Sequence, residues 1–101
     1  MRVVGKEKIE IFYKNHAQAK GPLLAWLDEA ENAVWKTPQE IKQRFAHASF
    51  LPDNTVIFNI VGNKFRLTVT VRYQAGIALV MDVSTHADYD KKNKKTKRKK
   101  A

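Results

Sequence analysis

The fold turns on Thr55-Val56-Ile57-Phe58-Asn59-Ile60, then Val61-Gly62-Asn63, then Lys64-Phe65-Arg66-Leu67-Thr68-Val69-Thr70-Val71-Arg72-Tyr73. In the last run Phe65, Leu67, Val69, Val71 and Tyr73 alternate with Lys64, Arg66, Thr68, Thr70 and Arg72. A period of two marks a strand with one buried face, because successive side chains of an extended chain point to opposite sides. Val56, Phe58 and Ile60 alternate in the same way, and Gly62-Asn63 suits a hairpin turn between the two runs. Ala75-Gly76 turns the chain again, and Ile77, Leu79, Met81 and Val83 continue the alternation. The sequence therefore predicts a three-stranded antiparallel meander with Lys64 to Tyr73 in the middle.

Upstream of Pro52-Asp53-Asn54, which reads as a turn, the period changes to that of a helix. Ile9, Phe12, Tyr13 and His16 fall on one face of a helix from Lys6 to about His16. Gly21-Pro22 breaks the chain, and Leu23, Leu27, Ala30 and Val34 then recur at helical spacing up to Trp35. Thr37-Pro38-Gln39-Glu40 is a capping box that opens a short third helix to about Phe45. Met1 to Val4 is short and β-branched, and Gly5 punctuates it, so it reads as a first strand. The class is α+β: an N-terminal strand and two to three helices packed on a mainly antiparallel sheet.

At 101 residues and 11.6 kDa there is room for one domain. The absence of cysteine excludes disulfides, thiolate metal sites and cysteine nucleophiles, and it suits a reducing cytoplasm. No apolar run approaches the ~20 residues that span a bilayer, and Met1 to Lys8 lacks the apolar core of a signal peptide. These features predict a soluble, cytoplasmic domain with no membrane partner.

The formal charge of +9 is unevenly spread, because residues 91–101 hold 8 of the 19 basic side chains and no acid. The first 90 residues carry 11 basic and 10 acidic groups and are nearly neutral. We therefore divide the chain into a domain over 1–90 and a disordered Lys-rich tail over 91–101. The tail suits either salt-dependent attraction to RNA or the ribosome, or simple solvation.

Two clusters carry candidate chemistry. The polar face of the middle meander strand offers Lys64, Arg66 and Arg72, cations able to hold phosphate, though such a face also serves as an ordinary wet side of a sheet. Ser84-Thr85-His86-Ala87-Asp88-Tyr89-Asp90 gathers an imidazole, a phenol and two carboxylates in seven residues. Its plainer reading is an Asp-capped terminal helix. Trp35 reads as core, and Lys36 beside it adds a basic candidate. His16 and His47 have no partner at metal-ligand spacing, so no metal or cofactor is expected.

These segments occur together in a recognisable order. Arg2-Val3-Val4 before an amphipathic helix, and then Ala33-Val34-Trp35-Lys36-Thr37-Pro38-Gln39-Glu40-Ile41-Lys42, resemble the N-terminal half of HigB toxins of type II toxin–antitoxin systems. Val56 to Leu67 resembles that family's "vFNIgGNKyRL" segment, and Ser84 to Asp90 its "GTHaEYD" ending. The likeness covers residues 1–90; Ser84 stands for the usual Gly, Asp88 for the usual Glu, and the tail lies outside it.

The resemblance implies a RelE-like fold and a toxin that cuts mRNA on translating ribosomes. It also implies a HigA-like antitoxin with a helix-turn-helix domain, through which alone the toxin would meet operator DNA. By motif match it assigns His86, Arg66, Lys64 and Tyr89 to catalysis and Asn63 and Thr85 to RNA contact; Arg72 and Lys36 complete the expected RNA-binding set. RNA carries its own nucleophile in the 2′-hydroxyl. Arg66 and Lys64 would hold the scissile phosphate, His86 would act as general acid or base, and Tyr89 would orient the nucleotide. The rival readings are a non-catalytic RNA- or ribosome-binding module and a degenerate toxin that only pairs with its antitoxin in a repressor complex.

Overall fold

The computed structural model describes residues 1–87. Strand β1 (Arg2–Val4) leads into helix α1 (Lys6–Asn15), a 3₁₀ turn (Ala17–Ala19) and helix α2 (Lys20–Asn32). Helix α3 (Pro38–Arg44) follows, and then β2 (Ser49–Leu51), β3 (Thr55–Ile60), β4 (Phe65–Arg72) and β5 (Ile77–Thr85). The five strands form one sheet in the order β1-β5-β4-β3-β2. Only β1 runs parallel to its neighbour; the other pairs are antiparallel. The α+β class and the meander β3-β4-β5 agree with the sequence, and β4 is the central strand.

One face of the sheet carries the helices. Leu67, Val69 and Val71 of β4 are fully buried there, against Val56, Phe58 and Ile60 of β3 and Ala78 and Val80 of β5. Phe58 is the hub of an aromatic group, with ring centroids 5.2 Å from Trp26, 5.0 Å from Phe45 and 6.1 Å from Trp35. Burying each such side chain contributes about 1.5–3 kcal/mol. Trp35 is thus a core residue.

Several details depart from the sequence reading. Helix α2 ends at Asn32, and Val34 is 72% exposed, while Trp26, three residues after Leu23, fills the inward position instead. Gly21 and Pro22 lie inside the first turn of α2, where the N–H that proline lacks has no helical partner to lose. Glu40 completes the capping box one residue early: the Glu40 N–H donates to Thr37 Oγ1 (3.3 Å), but Glu40 Oε2 accepts from the Lys36 N–H rather than from Thr37's. Strand β2, paired with β3 through Ser49↔Ile57 to Leu51↔Thr55, carries no alternation because all three of its residues are exposed.

The largest difference lies in β5. Ala78 and Val80 face the core, while Met81 is 46% exposed. Register explains this: Val69 pairs with Val80 but Thr68 pairs with Asp82, so Met81 is an extra residue, a β-bulge. Beyond it the inward positions resume at Val83, which packs on the core.

Among the described residues, left-handed backbone occurs at four turns, at Gly5, Asp53-Asn54, Val61-Gly62 and Gly76. Val61 (φ 54°) and Gly62 (φ 61°) start the β3–β4 connection, and Val61 is a β-branched residue in a region such residues rarely enter. Gly5, between β1 and α1, has φ 89°, and a Cβ there would stand 2.8 Å from the Val80 carbonyl oxygen. Both strain and collision oppose any side chain at Gly5. Gly5→Ala should lower the unfolding free energy by about 1–3 kcal/mol, read as a lower urea midpoint with an unchanged m-value; wild-type stability would refute the close packing of β1 and α1 on β5.

Candidate functional site

The alternation that buries Leu67, Val69 and Val71 necessarily turns Arg66, Thr68, Thr70 and Arg72 to the other face of β4. Across the sheet Arg66 stands between Asn59 of β3 and Ser84 of β5. Asn59 is fixed from behind, since its Nδ2 donates to the His47 carbonyl (3.1 Å). Its Oδ1 is then left to accept from Arg66 Nη1 (3.0 Å). The half-buried guanidinium is therefore held in a set direction. Ser84, where the family pattern has Gly, is 5% exposed, so the place opposite Arg66 takes only a small residue.

Lys64 closes the β3–β4 turn. Its exposed ammonium donates to Gln18 Oε1 (2.9 Å) on the 3₁₀ turn, 46 residues away in sequence. The pairing of β4 with β5 runs one step past its last strand pair, because the His86 N–H donates to the Lys64 carbonyl (2.8 Å). That bond sets the candidate acid–base residue against the candidate phosphate ligand. Asn63, Lys64, Thr85, His86 and Ala87 line one broad, open depression of about 740 Å³.

The structure thus brings together Lys64, His86, Asn63 and Thr85, with Arg66 two residues along the same strand. It does not bring Arg72 or Lys36 to this place. Arg72 lies six residues from Arg66, roughly 20 Å along β4. There it joins Lys36, Asn54, Tyr73, Gln74 and Ala75 around a second open depression of about 510 Å³. Tyr89, Asp88 and Asp90 lie outside the described residues, as does the Lys-rich tail.

Sequence reasoning missed Asn59 and Gln18. Asn59 sits inside the "FNI" segment, on the same polar face as Arg66, and the register of a β3–β4 hairpin would have placed the two opposite each other. Nothing local marks Gln18, whose contact with Lys64 depends on how the 3₁₀ turn meets the sheet. His16, by contrast, serves packing: its ring stacks on Phe12 at 4.1 Å and meets Phe65 edge-on at 5.8 Å.

Taken together, a lysine and an imidazole border one open surface, and an arginine held by an amide stands two residues along the strand from that lysine, a set suited to gripping a phosphate and moving a proton beside it. Among the described residues no helix is long and apolar enough to cross a membrane. No curated protein sequence matches the chain significantly. The family model described as HigB_toxin, RelE-like toxic component of a toxin–antitoxin system, matches residues 19–92, a span that runs from the 3₁₀ turn holding Gln18's neighbour Ala19 through every strand of the meander. With that match covering most of the chain, and with an α+β sheet consistent with a RelE-like fold, the chain belongs to the HigB toxin family.

Proposed function

We propose that the chain is an endoribonuclease that cuts mRNA on translating ribosomes in the cytoplasm, with Lys64, Arg66, His86 and Tyr89 as its catalytic residues. The observation that carries this reading is the 2.8 Å bond from the His86 N–H to the Lys64 carbonyl, which joins the two motifs at one surface. As the toxic component of a toxin–antitoxin system, the chain has an antitoxin as its partner. In this reading the antitoxin is HigA-like, carries a helix-turn-helix domain and alone contacts operator DNA.

The chemistry needs no group beyond RNA and side chains. The 2′-oxygen attacks the adjacent phosphorus, its proton leaves to a base, and the bond from phosphorus to the 5′-oxygen breaks as that oxygen takes a proton. The products are a 2′,3′-cyclic phosphate and a free 5′-hydroxyl. Arg66 and Lys64 bind the phosphate and stabilise the charge that grows on its non-bridging oxygens. His86 transfers a proton at the reacting oxygens, and Asn63 and Thr85 contact the strand beside it. Tyr89 orients the nucleotide by stacking or hydrogen bonding. A nearly neutral body binds free RNA weakly, which fits a substrate delivered by the ribosome.

Primer extension on a defined mRNA, with and without translating ribosomes, tests this directly. The wild-type chain should give discrete cuts that depend on ribosomes, and His86→Ala and Arg66→Ala should each lower the cleavage rate by at least ~100-fold. Cleavage by His86→Ala at the wild-type rate would remove His86 from the mechanism. Folded wild-type protein that cuts nothing would leave a binding module or a spent toxin.

Asn59 acts through Arg66. Asn59→Ala should cost about 1–3 kcal/mol of stability, because it leaves the His47 carbonyl and the half-buried guanidinium short of a partner. It should also raise KM for the mRNA, while Asn59→Gln recovers part of both. An Asn59→Ala protein of wild-type stability and KM would show that Arg66 needs no such support.

A further inference from the structure

The depression at the far end of β4 has its own design. Its walls come from three separate stretches: Lys36 before α3, Asn54 in the β2–β3 turn, and Arg72 to Ala75 where β4 ends. They supply two cations and two side-chain amides and no carboxylate. The side-chain ion pairs among the described residues engage Lys6, Lys14 and Arg44, and neither Lys36 nor Arg72. Two acids stand near this place in sequence: Asp53, beside Asn54 but outside the lining, and Glu40, which is taken up by the Lys36 N–H and the Thr37 hydroxyl. A further exposed cation shares the cross-strand row of Arg72, since both Arg2 and Arg72 pair with Ile77.

Its alignment is the second observation. Arg72 lies on the same face of β4 as Arg66, with only Thr68 and Thr70 between them on that face. Two cationic ends are thus joined by a hydroxyl-bearing track about 20 Å long. Tyr73 adds a half-buried phenol that can donate to an anion, and burial raises its pKa further above neutrality.

We propose that the depression between Lys36 and Arg72 is a second phosphate subsite, which holds the backbone of the same RNA strand whose scissile phosphate lies at Lys64 and Arg66. It rests on the reading that the His86 end takes RNA. Arg72 offers a two-pronged fork to the phosphate oxygens and Lys36 a point charge. Once one phosphate is held, the other binds as an intramolecular event, so two modest contacts reinforce each other. Two points separated along one strand also fix the line along which RNA crosses the sheet, as a single contact cannot.

The test is binding, so it does not depend on cutting. Fluorescence anisotropy of the full chain would be measured against a labelled RNA of ~12 nucleotides and a labelled dinucleotide, over a range of KCl concentrations. Lys36→Gln/Arg72→Gln should weaken the longer RNA roughly tenfold at ~0.1 M salt and make its log–log salt slope shallower by about 1.4, at ~0.7 for each lost contact. The dinucleotide, too short to reach both ends, should bind the double variant as it binds wild type. Arg72→Lys, with Lys36 intact, should keep the wild-type slope, which separates loss of charge from loss of fold. The inference is overturned if the double variant holds the longer RNA with wild-type affinity and slope, if it loses the dinucleotide equally, or if wild type binds neither RNA. A wild-type chain that shows the expected pattern but never cuts mRNA would end the nuclease reading and keep this one. Cutting by wild type, together with unchanged RNA binding by the double variant, would do the reverse.

Discussion

Burial of Leu67, Val69 and Val71 beneath the helices is the constraint on which the molecule depends. Once three alternate residues of the central strand are locked into a dry core, their neighbours have no freedom about which way to point. Arg66 and Arg72 are turned to the opposite side by the same geometry that excludes water from the first side. The helices therefore position the candidate face from the other side of the sheet. Gln18 reaches directly from the 3₁₀ turn to Lys64.

A half-buried arginine normally raises a question of cost, because desolvating a charge without fixed partners is unfavourable. Asn59 answers part of it. Its amide can face only one way, since the His47 carbonyl requires the Nδ2 side, and so an oxygen is always presented to Arg66. Gln18 presents the same kind of oxygen to Lys64. A neutral acceptor restrains a cation while leaving its formal charge to attract an anion, which a carboxylate in the same place would largely cancel. Val61, at φ 54° just before Gly62, is the strained element at this end of the hairpin. Such backbone costs of the order of 1–3 kcal/mol and persists only where the surrounding structure enforces it.

Much of this was legible in the sequence, for a physical reason. Period-two alternation over Phe65 to Arg72 and the helix cap at Thr37 are local signals, and the structure keeps the alternation and the Thr37 half of the capping box, with the Glu40 carboxylate moved to the Lys36 N–H. The first and last motifs of the candidate site could be named but not joined, because only tertiary pairing sets His86 beside Lys64. Strand β2 left no trace, since three exposed residues need no alternation. Val34 is exposed because α2 ends two residues before it, which helical spacing alone cannot show, and Trp26, in the middle of α2, is buried although the expected apolar set passed it over. Lys36 and Arg72 were recognisable as cations. That they form a separate group, away from His86, follows only from the length of β4.

The Met81 bulge has a consequence for how such a surface can change over time. Side-chain parity along a strand has two values, and one inserted residue is the smallest edit that converts one into the other. Upstream of the bulge the even-numbered positions Ala78 and Val80 face the helices; downstream the even-numbered Ser84 is paired with Arg66 on the opposite side. The side on which the strand delivers its C-terminal motif is therefore written in the count of residues between Val80 and Val83, and not in the motif itself. A descendant that lost one residue there could keep every letter of Ser84-Thr85-His86 and still present it to the wrong face of the sheet.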